Sequence, residues 1–229
     1  MTTFVLVPGA GGAAWYWHRL VPELRGRGHD ALAVDLPADD DTAGLTEYAD
    51  TVVQAVGDRT DLVLVASSMG AYTAPLVAER LPTRMIVLVN AMIPTAGESA
   101  GEWWANTGHE QARREQAERD GRTIGADDDL ADAFIHDLPP DLVAESVRHA
   151  RDQSGTPFQK PWPLPAWPEV PTRVLAGRDD RFFPVEFQRR VARWRLGIVP
   201  DEMPGGHLVA LSRPAELADR LVDYLRTVP

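Results

Sequence analysis

The sequence predicts an α/β protein: a mostly parallel central sheet flanked by helices, in one domain over residues 1–229. Three observations predict it. Short apolar runs recur at Phe4–Val7, Ala31–Val34, Leu62–Ala66, Arg84–Val89 and Thr172–Leu175. Stretches with apolar residues at helical spacing separate most of them. The run at Leu62 stops at two serines, Ser67 and Ser68, and continues as a helix-like segment through Tyr72, Leu76, Val77 and Leu81. Strands alternating with helices imply right-handed crossovers and a parallel sheet.

Taken in order, Phe4–Val7 is a buried strand, and Pro8-Gly9-Ala10-Gly11-Gly12-Ala13-Ala14 is too rich in glycine for regular structure. Trp15–Arg25 looks helical, although Pro22 is uncomfortable in a helix interior. Ala31–Val34 is a strand, the patch Asp39-Asp40-Asp41 a solvated loop, and Thr46–Val56 a helix. Arg84–Val89 is a strand closed by Asn90. From Pro94 to about Pro168 the rhythm breaks: apolar runs shorten, and Gly, Pro, Trp and charges mix. That stretch is expected to be a small cap inserted over one edge of the sheet, with helices at Gln111–Arg119 and Pro140–Arg151 and a Pro-rich extended run from Gly155 to Pro171. The core, residues 1–93 and 169–229, then resumes. Thr172–Leu175 is a strand, Pro184–Arg195 a helix, Ile198–Glu202 a short strand and Pro214–Arg226 a last helix.

Composition narrows the function. Hydrophobic residues make up 44% and charged residues 25%, ordinary for a globular protein with a full core. The absence of cysteine excludes disulfides, thiolate nucleophiles and zinc–thiolate sites, and suits a reducing cytoplasm. A net charge of −11 argues against a nucleic-acid or anionic-membrane partner. The start, Met1-Thr2-Thr3-Phe4, shows no signal peptide, and no apolar run approaches the roughly 20 residues of a membrane span. The expected partner is a small-molecule substrate. No cofactor or metal is expected, and self-association into a homo-oligomer stays open.

A strand, a sharp turn and a helix are the setting of a nucleophile elbow, which lifts a serine hydroxyl above a sheet. Strand and helix approach closely there, so residues two before and two after the nucleophile must be small. Ser68 has Ala66 and Gly70 at those places, whereas Ser67 has Val65 and Met69. Ser68 is therefore the candidate nucleophile. It needs a base, an acid to orient the base, and donors for an oxyanion. Of six histidines, His207 in Pro204-Gly205-Gly206-His207 follows the last strand, where an imidazole can swing over the sheet edge. The acid should end an intervening strand. Ala176-Gly177-Arg178-Asp179-Asp180 does, with two aspartates competing, while the preceding core strand ends at neutral Asn90. The expected oxyanion donors are the backbone N–H groups of Met69 and, from the glycine-rich loop, Ala10. A phosphate-binding loop is the competing interpretation of Gly9–Ala14. It fails for want of a third glycine at the right spacing or a Walker lysine.

These residues resemble the α/β-hydrolase superfamily over nearly the whole chain, most closely the branch of plant methylesterases and hydroxynitrile lyases with their small bacterial esterase relatives. Phe4–Ala10 is similar to that branch's first strand and oxyanion loop, Trp15-Tyr16-Trp17 to its aromatic helix start, and Gly28–Leu36 to its next strand. The resemblance implies an α/β-hydrolase fold and selects Asp180, fourth in Gly-x-x-Asp and eight residues before Gln188, as the acid. The chain departs from the branch at Pro8, Ala66 and Ser67, where histidine, glycine and histidine are usual. The lyases also carry a lysine after the catalytic histidine and a threonine in the oxyanion loop. Here Leu208 and Gly9 stand in those neighbourhoods, which disfavours cyanohydrin cleavage.

The expected activity is serine-dependent hydrolysis of a small, largely apolar ester or thioester. The alternatives are lyase- or cyclase-type chemistry in the same site, and a ligand-binding module with little turnover. Gly9, Trp103, Trp104, Phe158 and Leu208 are the expected substrate contacts. Trp162, Trp167, Phe134 and Ile135 share the expected cap, as packing or as pocket wall. Glu98 and Ser99 are read as helix-capping residues rather than site residues.

Overall fold

The computed structural model describes residues 1–122, 124 and 128–227, with backbone alone at 128–131. Positions 123 and 125–127 of the expected cap lie outside the described residues. Six strands form one sheet: β1 (Thr3–Val7), β2 (Asp30–Ala33), β3 (Leu62–Ser67), β4 (Thr83–Val89), β5 (Thr172–Gly177) and β6 (Asp201–Met203). Their order is β2-β1-β3-β4-β5-β6, and every pair is parallel. All carboxyl ends therefore share one edge. The chain steps from β1 out to β2, then returns to the other flank of β1 at β3. That reversal opens a crevice beyond the ends of β1 and β3.

The helices are α1 (Leu20–Gly26), α2 (Leu45–Val56), α3 (Gly70–Ala78), α4 (Trp103–Thr107), α5 (His109–Arg119), α6 (Asp128–Ile135), α7 (Pro140–Arg148), α8 (Val185–Leu196), α9 (Val209–Ser212) and α10 (Pro214–Tyr224). Ala14–Trp17 and Thr156–Phe158 are 3₁₀ turns. No described helix is long and apolar enough to cross a membrane.

The strands read as continuous apolar runs because helices cover both faces of the sheet. Val5, Val7, Leu64, Ala66, Ile86 and Leu88 point into a core shared with α2, α3 and α8. Their neighbours Phe4, Leu6, Val63, Val65, Val87 and Val89 point into a second core, with α1, α9 and α10. Pro22 is accommodated because it lies in the first turn of α1, where the N–H has no intrahelical acceptor. The last strand sits at Asp201–Met203 rather than from Ile198: Val199 is 66% exposed, and Pro200 has no N–H to give a ladder.

Between β4 and β5 the chain departs and returns at neighbouring strands, with Ile86 paired to Thr172. Residues 90–171 hold α4 to α7, of which the sequence suggests only α5 and α7. This segment is fastened by a buried ion pair, Arg195 to Glu98, with Nη2 to Oε1 at 2.7 Å and both side chains almost fully desolvated. Glu98 is thus not a helix cap, and the pair needs its added bonds to Tyr72, Asn106 and the Ile93 carbonyl. Ser99 does act locally: its Oγ donates to Glu102 and accepts the Glu102 N–H. The acidic loop is not merely solvated either. Asp39 pairs with Arg151 at 2.9 Å, and Asp41 accepts from Ser154 Oγ at 2.8 Å.

Candidate active site

Ser68 stands between the end of β3 and the start of α3 with φ +50°. That left-handed conformation costs a non-glycine residue roughly 1–2 kcal/mol, and here the surroundings enforce it. Ser68 N–H donates to Val89 O at 3.2 Å, and its carbonyl accepts from Met92 N–H at 3.0 Å. The demand for small neighbours has a direct cause. A Cβ on Gly70 would lie 2.7 Å from Pro8 O, and one on Gly9 would lie 2.9 Å from Ser68 Cβ. Ser67 instead ends the strand pairing at Val89 and is 3% exposed.

His207 and Asp180 are buried and joined, Nδ1 to Oδ2, at 2.8 Å. With the proton of that bond on Nδ1, the lone pair lies on Nε2, which is buried and without a protein partner among the described residues. Asp180 Oδ1 accepts from Phe182 N–H and Phe183 N–H, both at 2.8 Å, and Gln188 approaches Oδ2 at 3.4 Å. Four donors leave this carboxylate no freedom to turn away. Asp179 is exposed and serves the neighbouring loop, accepting from Gly205 N–H at 2.8 Å. Phe134, Phe182 and Phe183 meet the His207 ring nearly perpendicularly, at centroid distances of 4.9–5.1 Å.

Asn90 is a residue of the candidate site that the sequence undervalues. Its Oδ1 accepts from Gly177 N–H at 2.7 Å, and its Nδ2 donates to the carbonyls of Gly206 and His207 at 3.0 and 3.1 Å. It therefore ties the acid loop to the histidine loop across the sheet edge. The signal was a polar residue closing an apolar strand.

In the glycine-rich loop, the N–H groups of Gly11, Gly12 and Ala14 are bound by Gln153, Gly9 and Asp35. The N–H groups of Ala10 and Met69 have no protein acceptor among the described residues, and Met69 precedes the first turn of α3, where free donors are expected. Among the described residues no cluster of three or more His, Asp or Glu side chains could hold a metal ion.

Ser68, His207, Ala10 and Met69 share one cavity of about 400 Å³. Of the expected substrate contacts, Gly9, Trp104, Phe158 and Leu208 line it. Trp103 does not. It is fully buried, donates Nε1–H to Ile93 O at 3.0 Å, and packs on Phe183 and Phe187, so it is a core residue. Trp162 is likewise core, bonded to Tyr72 O. The cavity also takes Trp15, Tyr16, Met92, Phe134 and Phe182, which come from loops and helices spread along the chain. Trp15 stacks on His149 at 4.8 Å, joining the turn after β1 to the end of α7. Burial pushes the Tyr16 phenol up to about 12 against a lowering hydrogen bond with Ser67, so it stays a neutral hydroxyl.

Residues 4–220 match the model of the alpha/beta hydrolase family. The chain is 30% identical to the protein named "Probable esterase PIR7A" of rice, Oryza sativa subsp. indica, across 96% of this chain and 95% of that protein. It is 28% identical to esterase PIR7B of Oryza sativa subsp. japonica, across 96% and 94%. The structure superimposes on that of polyneuridine aldehyde esterase with a TM-score of 0.77 at 20% identity, covering 98% of this chain and 99% of that one, a likeness of fold.

Proposed function

We infer that this chain, which belongs to the alpha/beta hydrolase family and is a carboxylesterase-like hydrolase, cleaves a small, largely apolar carboxylic ester or thioester through an acyl-enzyme on Ser68. One observation carries the inference. A strained serine at the sheet's crevice shares a cavity with a histidine whose far nitrogen is locked to a buried aspartate at 2.8 Å.

The chemistry follows from those positions. Ser68 Oγ attacks the substrate carbonyl carbon as His207 Nε2 takes its proton. Asp180 fixes the tautomer that leaves Nε2 free to do so and stabilises the imidazolium that forms. The carbonyl oxygen becomes an oxyanion held by the N–H groups of Ala10 and Met69. Each such donor is worth about 10²–10³-fold in kcat. The intermediate collapses, the alcohol or thiol leaves with the proton from His207, and the acyl group stays on Ser68. Water attacks that ester, giving its proton to His207, and the acid departs as Ser68 regains its hydrogen. The 90–171 segment acts as a cap over this cavity. Its Trp104, Phe134 and Phe158, with Leu208 and Leu211 of the core, favour apolar acyl and alcohol groups.

Hydrolysis of p-nitrophenyl acetate and butyrate by wild type and Ser68→Ala tests the inference. Wild type should turn both over, and Ser68→Ala should lose the activity by a factor of about 10⁵–10⁶. Hydrolysis persisting in Ser68→Ala would overturn the role of Ser68. Tight binding of a small apolar ester without turnover would favour a ligand-binding module instead.

A further inference from the structure

We propose that Asp137 is a positioning residue for His207, acting through the Gly206 peptide, so that the 90–171 segment helps to hold the general base. Its kinetic consequence rests on the serine-hydrolase mechanism above.

The loop that carries His207 cannot hold itself. It contains two consecutive glycines, with Gly205 at φ +123°, and offers no polar side chain of its own before His207. Its backbone groups are fixed one by one from outside. Asp179 takes the Gly205 N–H, and Asn90 takes the carbonyls of Gly206 and His207. The Gly206 N–H donates to Asp137 Oδ2 at 2.7 Å. Asp179 and Asn90 belong to the ends of β5 and β4. Asp137 alone in this set comes from the turn between α6 and α7.

The contact is short, charge-assisted and partly buried. A Cβ on Gly206 would lie 2.8 Å from Asp137 Oδ1 and 2.9 Å from His136 Nε2, so the carboxylate presses directly on the glycine. Three residues before Asp137, Phe134 meets the His207 ring at 5.0 Å and 86°. One short stretch of chain thus touches both the ring and the backbone that bears it. A carboxylate that only anchored the α6–α7 turn to the core would need neither the Gly206 amide nor the histidine ring nearby. Releasing the Gly206 N–H frees the Gly205–Gly206 peptide and leaves the carbonyls of Gly206 and His207 held by Asn90 alone. The imidazole then loses its register with Ser68, and a misplacement near 1 Å costs about 10²-fold in rate.

The experiment compares wild type, Asp137→Ala and Asp137→Asn in the full chain, with three readouts. They are kcat and KM on p-nitrophenyl butyrate, the rate of Ser68 labelling by a fluorophosphonate, and the downfield proton resonance of His207 Nδ1–H. Asp137→Ala should lower kcat and the labelling rate together by about 10- to 100-fold with little change in KM. The downfield resonance should broaden or vanish through solvent exchange. Asp137→Asn keeps an acceptor oxygen and should recover much of that loss. Wild-type labelling and an intact resonance in folded Asp137→Ala would overturn the proposal, as would a loss confined to KM. Should Asp137→Ala not fold, Asp137→Asn decides: its weaker, uncharged acceptor should still slow labelling a few-fold, and a wild-type rate refutes the clamp. Failure of the hydrolase mechanism shows separately, as wild type that is neither labelled nor active, and the histidine resonance then still reads the clamp.

Discussion

Gly70→Ala tests the physical reason given for the elbow. The added Cβ would lie 2.7 Å from Pro8 O and 2.8 Å from Val7 O, where ordinary contact begins near 3.4 Å. The shortfall is therefore 0.6–0.7 Å. Neither side can yield locally, because β1 is paired along both edges and α3 is buried throughout its first two turns. Overpacking of this kind costs about 1–3 kcal/mol. Replacing a helical glycine returns up to about 1 kcal/mol, so with that full return a net loss of about 0–2 kcal/mol remains. In a domain of this size that lowers Tm by up to roughly 8 °C. The same separation pulls Ser68 away from Ala10, and kcat should fall about 10- to 100-fold. Gly26→Ala is the control. It also lies in a helix, but nothing is within 4 Å of its added Cβ, so Tm and kcat should hold or rise slightly. Calorimetry and p-nitrophenyl butyrate kinetics measure both. Gly70→Ala with wild-type Tm and kcat would refute the close-approach explanation of the elbow.

Two further outcomes are expected. Asp180→Asn should lower kcat about 10⁴-fold by freeing the wrong histidine tautomer. Asp179→Asn, whose amide oxygen can still accept the Gly205 N–H, should cost less than about tenfold, and a larger loss there would reverse the two assignments. His109 is buried among Trp103, Trp104, Phe182 and Phe183, and burial pushes its imidazole down to about 4. The unfolded chain, titrating near 6.5, binds more protons between those values, so stability is full above pH 6.5 and declines toward pH 4 by about 3 kcal/mol. Urea unfolding at pH 7 and 4.5 should show a smaller decline in His109→Gln than in wild type; equal declines would exclude His109 as the cause.

What could be read from sequence was what depends on local spacing. The size of the residues two places away distinguishes Ser68 from Ser67, and Gly70 meeting Pro8 O is that requirement in space. The strands were legible because a sheet covered on both faces needs unbroken apolar runs. In sequence only the family resemblance favours Asp180, since two adjacent aspartates look alike until burial and four donors separate them. The aromatic residues of the 90–171 segment were the weak point. Indole chemistry is the same in a cavity wall and in a core, so Trp103 and Trp104 could not be told apart, although only Trp104 faces the cavity. Asp137 and Asn90 carried no motif. Their roles exist through backbone amides and carbonyls more than sixty residues away.

The direct pairing of β4 with β5 also sets an order of assembly. Residues 1–89 contain the four adjacent strands β2-β1-β3-β4 and can pair through short crossovers as soon as they are made. Ile86 finds Thr172 only after the whole intervening segment exists, and contacts so distant in sequence form late. On a growing chain the elbow can therefore take shape well before Asp180 and His207 leave the ribosome. On the mechanism proposed above, the serine is built early and becomes reactive only when the last two strands dock. On that mechanism, a polypeptide cut short between β4 and residue 207 would carry Ser68 in its turn and still be chemically silent.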